Sequence, residues 1–261
     1  MGSVSLHLRN PHSILAVFDT RPADVLELTL GAGRLNAAWS RIQELARRHG
    51  VAGLVQQTTG GRRARSAANS ASGRSGSGSA VVKPRVSSKL DDLFDEQTPP
   101  LPAGIWLALD CLQDPHNVGA IFRSAAFFGV RGIVVSKDRS APLNATVYDV
   151  AAGGLEHVPF AVVPNLARAL KQAKKRGAWL LGTSEHATVD VADVDKDRAW
   201  MVVVGNEESG LRRLTRDHCD QLCRITPRGP VTSLNVSVAT GCLVSLLSAD
   251  VDQSTAAARS E

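Results

Sequence analysis

Residues 229–250 read GPVTSLNVSVATGCLVSLLSAD, and from Pro230 to Ala249 no side chain is charged. A run of this length suits a membrane span, a buried helix or part of a site. Pro230, Gly241 and several Ser and Thr dilute it, and dense apolar sequence begins only at Val236. The reading is therefore a helix from Asn235 onward, buried in the protein or in a subunit interface, and no membrane span. Ser233-Leu234-Asn235 then opens that helix, where Ser and Asn suit a cap.

Upstream, apolar strands alternate with helical stretches. IWLALD, GIVVS, VPFAVV, AWLLGT, AWMVVVG and QLCRIT are strand candidates, and helices are expected at about 117–129, 144–152, 165–176 and 210–220. Continuous apolar strands separated by helices predict an α/β fold with a mostly parallel sheet covered on both faces. In such sheets ligands bind beyond the carboxyl ends of the strands. The unusual residues lie there. LDCLQDPHNVGAIFRSAAFFGV (109–130) takes a strand through a proline turn into a helix that Asn117 can cap, with Arg123 inside it. VVVGNEESGLRR (202–213) runs a strand into Gly205-Asn206-Glu207, where Gly205 allows a close backbone approach to a ligand. ITPRGPVTSLNVSVATG (225–241) leads through a Pro/Gly loop to Ser233 and Asn235. Each stretch alone also has an ordinary explanation in capping, a salt bridge or a generic turn.

The N-terminal part is organised differently. DVLELTL (24–30) is strand-like, LNAAWSRIQELARRHG (35–50) is an amphipathic helix, and VAGLVQ (51–56) is a second strand. TTGGRRARSAANSASGRSGSGSA (58–80) then has almost nothing to bury, and every charge between Arg62 and Lys89 is positive. That composition predicts a flexible tether, able also to grip RNA phosphates non-specifically. The expected division is a small α/β domain over 1–58, a linker over 59–100, a larger domain over 101–250 and a disordered tail over 251–261.

With 261 residues, 43% hydrophobic, the chain can build real cores. A net charge of +5 permits a polyanionic partner, and 4% aromatic content argues against a binder built on stacked bases. Cys111, Cys219, Cys223 and Cys242 form no CxxC pair, so inert thiols in a reducing cytosol are expected, with no metal site. The N-terminus lacks the pattern of a signal peptide. No Walker loop, GxGxxG, GxSxG or HExxH motif is present.

Together, DPHNVGAIFRSAAFFG, VVVGNEESGL and SLNVSVATG, in this order and spacing, resemble the three motifs of the SpoU/TrmH family of RNA ribose 2′-O-methyltransferases, in the SPOUT superfamily. The resemblance covers roughly Leu107 to Leu247. Residues 11–57 more loosely resemble the N-terminal RNA-binding domain of RlmB-type members, which methylate a guanosine of large-subunit (23S-type) ribosomal RNA, and LRRLTRDHCDQL is also RlmB-like. The resemblance implies a SPOUT α/β knot with a deep C-terminal trefoil, one of the exceptions to unknotted chains. It implies S-adenosyl-L-methionine held by backbone groups of three loops, and a cytoplasmic homodimer packed through the last helix.

Carried over by position, the catalytic residues implied are Arg123, Asn117, Glu207, Ser233 and Asn235. The cofactor residues implied are Gly182, Thr183, Gly205, Ile225 and Leu234. Arg123 corresponds to the family's activating residue. A guanidinium is a poor base near neutral pH, so its expected task is to position the 2′-oxygen and the adjacent phosphate, with the proton relayed to that phosphate. Asn117, Ser233 and Asn235 would hold loops and ribose, and Glu207 would orient them. The third motif usually begins Ile-Pro-Met, whereas this chain has Ile225-Thr226-Pro227-Arg228. Transfer-RNA relatives usually lack a separate N-terminal domain, so residues 11–57 favour ribosomal RNA. A transfer-RNA enzyme and a non-catalytic RNA-binding assembly factor stay open as alternatives.

Overall fold

The computed structural model describes residues 5–31, 34–51, 53–56, 78–94 and 101–248, which divide into two units: Met1–Arg85 with Leu143–His157, and Val86–Pro142 with Val158–Glu261. In the first unit, β1 (Leu6–Leu8) leads to α1 (Pro11–Thr20), whose N-cap Asn10 accepts the His12 N–H. There follow β2 (Val25–Gly31), α2 (Ala37–Arg48), β3 (Gly53–Gln56) and β4 (Gly78–Val82). The sheet order is β1-β4-β2-β3, antiparallel except for the β2–β3 pair. Trp39 and Ile42 on α2, with Ile14 and Val17 on α1, are fully buried, as the helical spacing of α2 predicts.

Two results revise the expected division. Gly78–Val82, inside the expected 59–100 linker, is the strand β4, which lies between β1 and β2, so residues 57–77 connect two strands of the first unit. A Cβ at Gly78 would lie 2.6 Å from the Thr29 carbonyl oxygen and 2.7 Å from the Trp39 ring, so glycine here permits the fit. Glycine and serine in a Gly/Ser-rich context disguise this strand. Residues 58–77 and 249–261, covering most of the expected tether and the whole expected tail, lie outside the described residues.

The second unit opens with β5 (Gly104–Leu109), α3 (Pro115–Phe127) and β6 (Gly132–Ser136). The next stretch, α4 (Ala145–Ala151) and α5 (Gly154–His157), belongs to the first unit, although the sequence placed it in the larger domain. Polar contacts tie it there. Asp149 accepts the Arg9 and Asn10 amides at 2.9–3.0 Å, and Ser13 Oγ donates to the Tyr148 carbonyl at 2.7 Å. Arg21 donates to both oxygens of the buried Glu156 at 2.7 and 2.8 Å.

The second unit continues with β7 (Phe160–Val163), α6 (Leu166–Lys175), β8 (Trp179–Thr183), β9 (Val189–Asp190), β10 (Ala199–Val204), α7 (Arg213–His218), β11 (Gln221–Arg224) and α8 (Val236–Ser248). All neighbouring strands in the order β7-β6-β5-β10-β8-β11-β9 are parallel. All six residues of both central strands, β5 and β10, are buried, which explains their unbroken apolar runs. The six strands read from sequence are present. The seventh, β9, spans two residues, too short for any periodic signal.

After β11 the chain returns across the sheet, and α8 packs against α3, β5 and the short 3-10 turn Val191–Asp193. Thr240, Leu243, Val244 and Leu247 form its buried face. No described helix is long and apolar enough to cross a membrane.

Candidate active site at the carboxyl ends of the strands

Asp110, Gly205 and Ile225 directly follow β5, β10 and β11, so the parallel sheet brings three loops to one edge. Asn117 stands in the first turn of α3 and is 7% exposed. The cap expected of it belongs to Asp114, which accepts the His116 N–H. Asn117 is thereby free to work across the loops. Its Nδ2 donates to Glu207 Oε1 at 2.9 Å, and its Oδ1 accepts from Asn235 Nδ2 at 2.9 Å.

This chain of two bonds joins all three motifs. Each Asn uses its amide in both directions, which fixes the orientation of both side chains. Asn235 also caps α8, its Oδ1 accepting from Ser237 N, Ser237 Oγ and Val238 N. Asn206 extends the network, donating to Glu207 Oε2 at 3.2 Å and to the Cys111 carbonyl at 3.0 Å. Its Oδ1 closes its own turn on Glu208 and Ser209. Sequence reasoning assigned Asn206 no role, because an Asn after a turn glycine has so many ordinary uses.

Gly205 and Gly182 are both tightly enclosed by the chain itself. A Cβ on Gly205 would lie 2.3–2.5 Å from the backbone of Gly210 and Leu211, so the close approach that Gly205 permits is by its own loop. That loop closes through the paired bonds between Asn206 and Gly210. Gly182 is likewise enclosed by Leu222, Cys219 and Leu211, and Thr183 Oγ1 donates to the Val203 carbonyl. These residues shape the strand ends from within.

Leu234 is 53% exposed on the third loop, and among the described residues the backbone amides of Ser233 and Leu234 make no hydrogen bond. An apolar side chain beside free backbone donors suits a ligand with a flat apolar body and a polar edge. Ser233 and Arg123 are exposed and make no hydrogen bond or ion pair among the described residues, so neither is tied into the Asn117 network.

Thr226 occupies a position where the motif usually has proline. Its N–H donates to Asp190 Oδ2 at 3.1 Å, a bond proline cannot make. Asp190 Oδ1 meanwhile accepts the Ala192 N–H. The Thr226 side chain and the Ala192 amide hold the Asp190 carboxyl below the usual carboxylate range. Thr226 thus pins the loop through a bond where proline would restrict it through its ring. Among the described residues, no three His, Cys, Asp or Glu side chains cluster as metal ligands.

The profile of the SpoU rRNA methylase family matches residues 104–245, the stretch that carries this network. The chain belongs to the SpoU rRNA methylase family. Within that family it is similar to the 23S rRNA (guanosine-2′-O-)-methyltransferase RlmB of Pseudomonas aeruginosa, at 49% identity over 54% of this chain and 57% of that one. The chain thus spans little more than half of that relative's length. The RlmB of Vibrio vulnificus is 38% identical over 89% of this chain and 92% of its own. In fold the SpoU chain resembles the SpoU methyltransferase AviRb from Streptomyces viridochromogenes, solved with AdoMet, at a TM-score of 0.75 and 21% identity over 95% of this chain and 91% of that one. The mostly parallel α/β architecture is the SpoU fold, as the resemblance implied.

Proposed function

We propose that this SpoU chain transfers a methyl group from S-adenosyl-L-methionine to a ribose 2′-hydroxyl of RNA, at a guanosine of 23S ribosomal RNA. The Asn235–Asn117–Glu207 chain carries the proposal, since it holds three strand-end loops in one register where ligands of such sheets bind. The RlmB names of two relatives support the RNA and the nucleoside. The cofactor, when bound, supplies a methyl group on an already electrophilic sulfonium. Leu234 and the amides of Ser233 and Leu234, which make no hydrogen bond among the described residues, would hold its adenosine, together with the loops of Ile225 and Gly205 and the strand end of Gly182 and Thr183.

The protein's remaining tasks are alignment and proton removal. Asn117 holds Glu207 and Asn235 in place, and the exposed Ser233, beside Leu234, would hold the ribose. Arg123 has no partner among the described residues, which suits a residue that is to take a phosphate and the 2′-oxygen. It positions both, and the proton passes to the phosphate.

The first unit, whose sheet includes β4, serves as the RNA-binding domain. A groove of about 490 Å³ between α3 and α8, lined by Ala120, Ser124, Val238 and Cys242, is covered by a second copy of the chain. The return of the chain from β11 to α8 supports a knotted C-terminus. All four cysteines are free, which supports a reducing, cytoplasmic setting.

Tritiated S-adenosyl-L-methionine is expected to label the ribose of 23S rRNA, and Arg123→Ala to abolish the label. Label on a base, or undiminished label in the variant, refutes the assignment of reaction or of Arg123. Absence of cofactor binding by calorimetry would leave a non-catalytic RNA-binding role.

A further inference from the structure

We infer that Arg212, held in place by Asp110, receives an RNA phosphate beside the active site. Resting on the RNA methyl-transfer reading, the inference adds a substrate-positioning pair that the three motifs do not contain. Asp110 directly follows β5 with 0% exposure, and a buried carboxylate is costly without a partner. Arg212 Nη2 meets its Oδ1 at 2.6 Å, and Asp110 in turn raises the pKa of Arg212 above its ordinary value. The other oxygen, Oδ2, is buried without a partner, so Arg212 is the one cation that compensates this carboxylate among the described residues.

The arginine is not spent on that contact. Its side chain is 45% exposed, and one N–H group of its five is engaged among the described residues. The carboxylate lies on the protein side and the guanidinium on the solvent side, so the pair presents a positive end outward. A held guanidinium loses less rotamer entropy on binding phosphate than a free one.

Its location supplies the purpose. Cys111, next to Asp110, turns the chain with φ 62°, and its carbonyl accepts Asn206 Nδ2 at 3.0 Å. Asn206 donates to Glu207, which accepts from Asn117. Arg212 is therefore anchored to the same corner as the proposed ribose site. Arg213, one residue on, is 77% exposed and pairs with Asp217 at 3.6 Å, an ordinary surface pair that provides the comparison.

The test compares the wild-type protein with Arg212→Ala, Arg212→Lys, Asp110→Asn and Arg213→Ala, after cofactor affinity and thermal melting have shown which variants fold. Arg212→Ala should raise KM for 23S rRNA about 10-fold, with a smaller change in kcat. It should also lower the slope of log affinity for RNA against log salt by about 0.7–0.9, the share of one phosphate. Arg212→Lys should restore the slope without restoring KM, and Asp110→Asn should raise KM with the slope retained. An Arg212→Ala protein with unchanged KM and slope overturns the inference. So does one altered only in melting and cofactor affinity, which is the mark of a structural strut, and so does an equal slope loss in Arg213→Ala. A wild-type protein that neither binds nor methylates RNA would instead defeat the underlying reading of the site.

Discussion

At the scale of single residues, the site depends on side chains whose partners are distant in sequence. Asn117 looked like a helix cap, and the nearer Asp114 takes that task. Asn117→Ala would leave Glu207 Oε1 and Asn235 Nδ2 without their mutual link. Methyl transfer should fall about 100-fold while the melting temperature moves little, since Glu207 and Asn235 can both turn to water. Single-turnover labelling separates this loss from a loss of RNA affinity. Thr226 offers a second case. Asp190→Ala removes the acceptor of both the Thr226 and Ala192 amides. Hydrogen exchange at those amides should then be fast at neutral pH. In the wild-type protein the Asp190 pKa is lowered on folding, so its contribution is present above the unfolded value near 3.9. It is lost as pH falls through the folded value, and exchange should quicken only in that acid range.

At the scale of elements, caps and close approaches decide which segments form. Asp114→Ala removes the side-chain cap of α3 and should cost about 1 kcal/mol by denaturant titration. Because α3 also carries Asn117, activity should fall with it. Gly78→Val would drive side-chain atoms into Thr29 and Trp39, and should destabilise the first unit by about 1–3 kcal/mol. Most elements were legible, because apolar runs and amphipathic spacing persist through them. Three strands and the helix α1 were not, and β1 has only three residues to signal it. β4 is disguised by Gly and Ser, and two-residue β9 is shorter than any period. The uncharged run of 230–249 holds a helix only from Val236 to Ser248, with one face buried on the sheet side and another lining the groove with α3.

At the scale of the whole molecule, buried ionisable groups make stability depend on conditions. Arg21 and Glu156 join parts of the first unit separated by over a hundred residues of chain. Glu156→Ala should cost about 1–3 kcal/mol, since Arg21 loses the partner of its Nε and Nη2 while its Nη1 keeps Asp24 and the Lys83 carbonyl. Cofactor affinity, which the proposed site assigns to the second unit, should be retained in calorimetry. Burial pushes the Cys219 and Cys223 thiols up to about 11 and about 12. Groups whose folded pKa is raised stabilise fully below the unfolded value, near 8.5, and lose that contribution as pH rises toward the folded value. Chemical denaturation midpoints should therefore fall between about pH 8.5 and 11. Replacing both cysteines with alanine should flatten that decline.

Local pattern alone determined the alternation of strands and helices, the parallel sheet and the loops that carry the site, because periodicity and strand-end position are properties of short segments. The resemblance to the SpoU/TrmH motifs, and not local pattern, marked Asn117, Glu207 and Asn235 as members of one set, though not how they meet. Tertiary structure decided that Asn117 bridges the other two, that Gly205 and Gly182 admit the chain's own atoms, and that residues 143–157 pack with the first unit. It also paired Asp110 with Arg212. The physical reason is common to all of these: a hydrogen bond or an ion pair is specified by where two groups lie in space, and the identity of either group by itself leaves its partner open.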